Sequence, residues 1–138
     1  MTTPPELPFF VYGTLRPGAY NHDRHFLGRT AAEEDAVLPG AVLHEGPGYP
    51  YVVRGEGRVT GALLTAAPCA YGGLLDVLDR MELPAGYERT GLDVLRVRDG
   101  VTVRAWVYVA APGVRPGPVI ASGDWFDVSR VPDAPRTP

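Results

Sequence analysis

Asp79 and Glu82 lie three residues apart, the spacing that sets two carboxylates on one face of a helix. Pro84 and Gly86 follow closely and break helices, so Glu82 belongs to a last turn. A helix presents the negative end of its dipole there, which raises the pKa of a carboxyl group. Burial against Met81 and Leu83 acts in the same direction. A carboxylate tuned toward neutral pH suits a general base that must also give its proton back. On spacing alone, the commoner meaning of such a pair is a solvated helix face with Arg80 and Arg89 as neighbours.

A second candidate is Tyr12-Gly13-Thr14-Leu15-Arg16-Pro17-Gly18. An apolar run ends at Gly13, and the residues after it are too small and polar to continue a strand. Glycine lets a backbone approach a ligand closely, and successive N–H groups on such a turn form a nest for a carboxylate or phosphate. Pro17-Gly18 then forces a turn. The segment fits neither phosphate-loop nor dinucleotide spacing, and a plain strand-to-loop turn is the commoner meaning of one short glycine motif. His22 and His25 form an HxxH that lacks a third ligand, so a capping or solvent-facing pair outweighs a metal site. Cys69 has no base at a recognisable spacing and reads as a small core residue. Tyr49, Tyr51, Tyr87, Trp106, Tyr108 and Trp125 read first as core.

Composition narrows the chemistry further. All 13 basic residues are Arg, which excludes a phosphate-loop lysine, a Schiff-base lysine and a Ser–Lys dyad. A net charge of -3 argues against nucleic acid as a partner. With Cys69 alone there is neither an intrachain disulfide nor a cysteine zinc site. Residues 1–8 lack a basic, apolar leader and no run is long enough to span a bilayer, so the expectation is a cytoplasmic protein with no membrane partner.

These residues need elements to position them. The 138 residues, 45% of them hydrophobic, predict one domain, with a core over about 8–126 and an irregular tail over 127–138. Much of the chain's proline lies in residues 111–138, which are expected to be irregular throughout. Residues 8–12 read as a strand and 21–29 as a short helical turn. Residues 36–44 are strand-like with a turn at Pro39-Gly40, and 49–54 pairs with 58–65 across Gly55-Glu56-Gly57. Residues 92–98 and 101–109 flank Asp99-Gly100, the strongest hairpin signal in the chain. Tyr71, Leu74, Leu75, Leu78 and Met81 make an amphipathic stripe, which predicts one principal helix ending at Pro84. Many strands with one such helix predict an α+β domain whose sheet curls, a barrel being one way to close it.

The run Phe10-Val11-Tyr12-Gly13-Thr14-Leu15-Arg16-Pro17-Gly18 closely resembles the N-terminal signature of the γ-glutamyl cyclotransferase-like proteins, which include γ-glutamylamine cyclotransferases and AIG2-like proteins. Asn21-His22 is similar to the γ-glutamylamine branch. Leu78-Asp79-Arg80-Met81-Glu82 followed by Tyr87-Glu88-Arg89 resembles a second family pattern. Gly61-Ala62-Leu63-Leu64, Ala105-Trp106-Val107-Tyr108 and Ser122-Gly123-Asp124-Trp125 are weaker matches in the right order. The chain departs from many relatives in carrying Leu83-Pro84 after Glu82, where those carry Gly, and the leaving-group side is the least matched part.

The resemblance implies a small mixed β-barrel with one principal helix, short flanking helices and a central cavity. It implies that Glu82 is the catalytic acid/base and that Tyr12, Gly13, Thr14 and Leu15 hold the α-carboxylate of a γ-glutamyl small molecule. Tyr87 and Tyr108 are the expected cavity-facing hydroxyls. The substrate's own α-amine attacks its γ-carbonyl, 5-oxoproline forms and an amine leaves, with no cofactor and no metal. A γ-glutamyl-removing lyase of a biosynthetic route would use the same chemistry. A binding module of the same fold would use none, and retention of Glu82 argues for the enzyme.

Overall fold

The computed structural model describes residues 6–19, 22–26 and 28–130. Their strands are β1 (Phe9–Val11), β2 (Thr30–His44), β3 (Tyr51–Ala66), β4 (Tyr87–Arg96) and β5 (Thr102–Ala110). The helices are α1 (His22–Phe26), α2 (Tyr71–Glu82) and α3 (Trp125–Arg130), with a 3-10 turn at Leu83–Ala85. The strands close into a barrel in the order β1-β3-β2-β4-β5. β1 makes the closure, antiparallel to β3 and parallel to β5. Three residues suffice because Phe9, Phe10 and Val11 are all buried. A strand covered on both faces is expected to be apolar without alternation.

The Asp99-Gly100 hairpin joins β4 and β5, with Gly100 at φ 70° and Leu95 opposite Thr102. The expected hairpin across residues 55–57 does not form. Tyr51–Ala66 is one continuous strand, and its partner is β2 along its length. Residues 55–57 of β3 stand opposite Gly40 alone, between the pairs Ala41–Arg54 and Pro39–Arg58. The glycines serve close approach there: a β-carbon on Gly57 would lie 2.9 Å from the Ala41 carbonyl oxygen. Gly40, at φ 72°, is therefore an irregularity inside a long strand, where the sequence suggested a turn.

The proline-rich segment is irregular as far as Asp124, as expected, yet it is held against the barrel. Gly117 N–H donates to Glu45 O at 2.7 Å and Ile120 N–H to Leu43 O at 2.8 Å, so the chain is pinned along the end of β2. Helix α3 begins at Trp125, which moves the start of any irregular tail past residue 127; residues 131–138 lie outside the described residues. Cys69 is exposed at φ 68° and does not belong to the core.

Helix α2 follows its predicted stripe, burying Leu74 and Leu78. Tyr71 stacks on Phe9 of β1 with ring centroids 5.8 Å apart and accepts a 2.8 Å hydrogen bond from Trp106 Nε1 of β5. The helix stops where the sequence places the stop. Pro84 enters the 3-10 turn, and Gly86 takes φ 100°. The left-handed region suits glycine, and the turn puts Glu82 at the exit of α2.

Candidate active site

A cavity of about 310 Å³ opens beside the barrel closure. Tyr12, Gly13, Thr14 and Leu15 line it from the loop after β1, Glu82 from the end of α2, Tyr87 from β4 and Tyr108 from β5. All seven residues singled out from the sequence thus meet in one place. The sequence reading missed Tyr49 and Pro50 on the loop before β3, and Met81 and Ala85 beside Glu82. Pro50 explains Gly13: a β-carbon there would lie 2.8 Å from the proline ring. Gly13 is not at positive φ, so contact requires the glycine and a left-handed turn does not.

The loop is a relay of short turns. Arg16 N–H donates to Gly13 O at 3.1 Å, and Ala19 N–H to Arg16 O at 2.8 Å. The Gly13 and Leu15 N–H groups make no hydrogen bond to any described residue. Amides of this kind, at the rim of a cavity, suit a carboxylate ligand.

Four tyrosines near Glu82 give their hydroxyl protons to other acceptors. Tyr12 Oη donates to the Tyr108 carbonyl at 2.5 Å, Tyr51 Oη to the Ala85 carbonyl at 2.6 Å and Tyr87 Oη to the Pro50 carbonyl at 2.5 Å. Tyr108 Oη donates to Asp79 Oδ1 at 2.6 Å. Burial pushes all four phenols above their ordinary pKa, and the charge of Glu82 adds to the rise in each. Tyr87 and Tyr108 therefore line the cavity with their hydroxyl protons committed elsewhere. Among the described residues no side chain hydrogen-bonds or ion-pairs with Glu82, and burial pushes its carboxyl up to about 7. Desolvation without a compensating donor disfavours the charged form.

Asp79 takes the other role of the carboxylate pair. Besides Tyr108 it accepts from Arg89 Nε at 2.9 Å, and Arg89 lies over the Trp106 ring at 4.3 Å. The pair thus divides into a carboxylate held by Tyr108 and Arg89 and one without a side-chain partner among the described residues, a turn apart on α2. His22 is buried, with Nε2 2.7 Å from Glu33 Oε2, and ties α1 to β2 instead of facing solvent. Among the described residues no group of His, Cys, Asp and Glu is arranged to hold a metal ion. No helix of theirs is long and apolar enough to cross a membrane.

Comparison with known proteins points the same way. A profile of the family "Gamma-glutamyl cyclotransferase, AIG2-like" matches residues 9–127. A Vibrio cholerae protein named "Putative gamma-glutamylcyclotransferase" is 31% identical over 116 residues, covering 84% of this chain and 92% of that one. The crystal structure of an AIG2-like protein from Mus musculus superposes with a TM-score of 0.64 at 26% identity, covering 78% of this chain and 79% of that one. An uncharacterised protein from Pyrococcus horikoshii gives 0.70 at 22% identity over 96% of this chain and 99% of that one, a likeness of fold.

Proposed function

Because the chain belongs to the gamma-glutamyl cyclotransferase, AIG2-like family, we propose that it is an enzyme that converts a γ-glutamyl compound into 5-oxoproline and a free amine. The observation that carries the reading is Glu82, its carboxyl pushed up to about 7, in the same cavity as the loop Tyr12–Leu15.

In this reading the loop amides hold the substrate's α-carboxylate, which leaves the α-ammonium toward Glu82. The carboxylate removes a proton, and the amine nitrogen attacks the γ-carbonyl carbon to close a five-membered ring. As the amide bond breaks, Glu82 returns that proton to the leaving nitrogen, and the second proton that the ring nitrogen must shed passes by the same carboxylate to the released amine, which departs as an ammonium ion. Atoms balance without water and without a protein nucleophile. Nucleophile and carbonyl are already in one molecule, so holding the chain folded supplies much of the rate. A base with a pKa near 7 is half-ionised at neutral pH, which suits a group that both takes and gives a proton. Tyr12, Tyr87 and Tyr108 have their protons committed to other acceptors, which favours Glu82 as the exchanging group.

The test is a substrate panel with 5-oxoproline as readout: glutathione, γ-glutamyl-alanine, γ-glutamyl-ε-lysine and γ-glutamyl alkylamines. Rates are expected to differ across the panel, since discrimination comes from contacts to the leaving group. α-Glutamyl peptides should be inert, because their amine cannot close the ring onto a γ-amide. Turnover of none of the panel by folded protein would defeat the reading.

A further inference from the structure

Arg16 is a charged side chain that the fold buries, and the proposed chemistry does not use it. Its backbone forms the middle of the loop, linked by N–H to Gly13 O and by C=O to Ala19 N–H. Its side chain does not line the cavity. Nη1 donates to Asp124 Oδ1 at 2.7 Å, and the guanidinium lies 3.8 Å from the centroid of the Phe126 ring.

The other end of this contact is fixed independently. Asp124 Oδ1 also accepts from Phe126 N–H at 3.0 Å, and Asp124 N–H donates to Ser122 Oγ at 3.2 Å. Gly123 O accepts from Thr60 N–H of β3 at 2.8 Å. Gly123 takes φ 71°, and a β-carbon there would lie 2.2 Å from the Arg58 carbonyl oxygen. Residues 122–126 are therefore fastened to the barrel wall on one side and to the loop on the other, across a sequence separation of 108.

A partly buried ion pair is weak evidence of stabilisation, because desolvation offsets its attraction. It is better evidence for a geometric role: a planar guanidinium held by a carboxylate and stacked on a ring has a fixed position and orientation. We propose that Arg16 is a positioning residue for the substrate loop, with Asp124 and Phe126 as its anchor. The inference rests on reading that loop as the seat of the glutamyl carboxylate. The turn from Gly13 O to Arg16 N–H encloses Thr14 and Leu15, so a shift of Arg16 moves both cavity-lining residues.

The experiment compares Arg16→Lys, Asp124→Asn and Asp124→Glu with the unaltered protein in two measurements. The first is amide hydrogen exchange, which needs no substrate. Exchange at Arg16 and Ala19 should rise about tenfold in Arg16→Lys and Asp124→Asn, with β3 and β5 protected as before. The second is kinetics on the panel compound turned over fastest. KM should rise about tenfold and kcat change less than about threefold, and Asp124→Glu should recover most of the loss. Unchanged loop exchange, or accelerated loop exchange with unchanged KM, overturns the proposal. If the unaltered protein turns over no γ-glutamyl compound, the functional reading fails, and loop exchange alone decides whether Arg16 sets the loop.

Discussion

The loop after β1 and the carboxylate that shares its cavity are held in opposite ways. The loop is overdetermined: successive turns brace it, Gly13 abuts Pro50, and Arg16 ties it to Asp124 across the molecule. Glu82 has no side-chain hydrogen bond or ion pair among the described residues and takes its position from the backbone of the helix end. Yet Asp79, one turn earlier, accepts hydrogen bonds from both Arg89 and Tyr108. A binding element gains from rigidity, because every immobilised contact is prepaid before the ligand arrives. An acid/base gains from the reverse. Each donor aimed at a carboxylate lowers its pKa and makes it a poorer base. The fold commits the protons of Tyr12, Tyr51, Tyr87 and Tyr108 to other acceptors, so none of these four hydroxyls donates to Glu82.

Glu82→Gln breaks this contrast most sharply. The amide keeps the shape of the side chain and one acceptor oxygen but cannot take a proton. Turnover of the best panel compound should fall about 10²–10⁴-fold, with the melting transition intact and 5-oxoproline still able to bind. A variant that retains most of its turnover would mean that the base lies elsewhere. Loss of turnover together with loss of ligand binding would mean that Glu82 belongs with the binding loop, and the comparison would collapse.

How much of this was legible in the sequence differs between the two regions. Helix α2 and its stop were plain, because Leu74, Leu78, Pro84 and Gly86 act locally through periodicity and breakers. The meeting of Glu82 with the loop came from family resemblance, since nothing in a single chain gives the distance between residues 13 and 82. The interactions that hold the loop were not legible: Gly13 reads as a turn glycine until Pro50 is seen against it. Gly55 and Gly57 misled for the same reason, since close approach of a second strand leaves the same residue type as a hairpin turn does. The committed hydroxyls of Tyr87 and Tyr108 depend on the carbonyl of Pro50 and on Asp79, partners 37 and 29 residues away.

A second prediction sharpens the contrast through stability. The Glu82 carboxyl is pushed from an ordinary 4.5 to about 7 in the folded protein. The folded state therefore holds the proton more tightly than the unfolded chain does. Below pH 4.5 both states are protonated and the group is neutral in its effect. Between pH 4.5 and 7 the unfolded chain loses the proton first, so stability falls as pH rises and then levels off. Glu82→Gln removes this term, so the variant should exceed the parent in stability at pH 8 by up to about 3 kcal/mol, with the gap closing toward pH 4.5. Denaturant titrations of both proteins at a series of pH values measure the gap. A pH-independent gap would show that the carboxyl is not desolvated and that its lack of partners has no energetic consequence.

The smallest effect tests how an unpartnered carboxylate is still placed. Tyr51 is buried, and its hydroxyl donates to the Ala85 carbonyl in the 3-10 turn that follows Glu82. A β-carbon on Gly86 would lie 2.9 Å from that same hydroxyl, so the turn and the tyrosine are fitted to each other. Tyr51→Phe keeps the ring, which packs on Tyr87 at 4.7 Å between centroids, and removes only the donor. The Ala85 carbonyl then loses its partner, for a loss of about 1 kcal/mol in unfolding free energy. Glu82 should keep its base function with a slightly less defined position, so kcat should fall a few-fold, about 2–5-fold, while KM holds. That pattern is the mirror of the one expected for Arg16→Lys, where KM rises and kcat holds. If both variants moved KM and kcat together, the loop and the helix end would be one mechanical unit, and the separate placement of binding and proton transfer would be wrong.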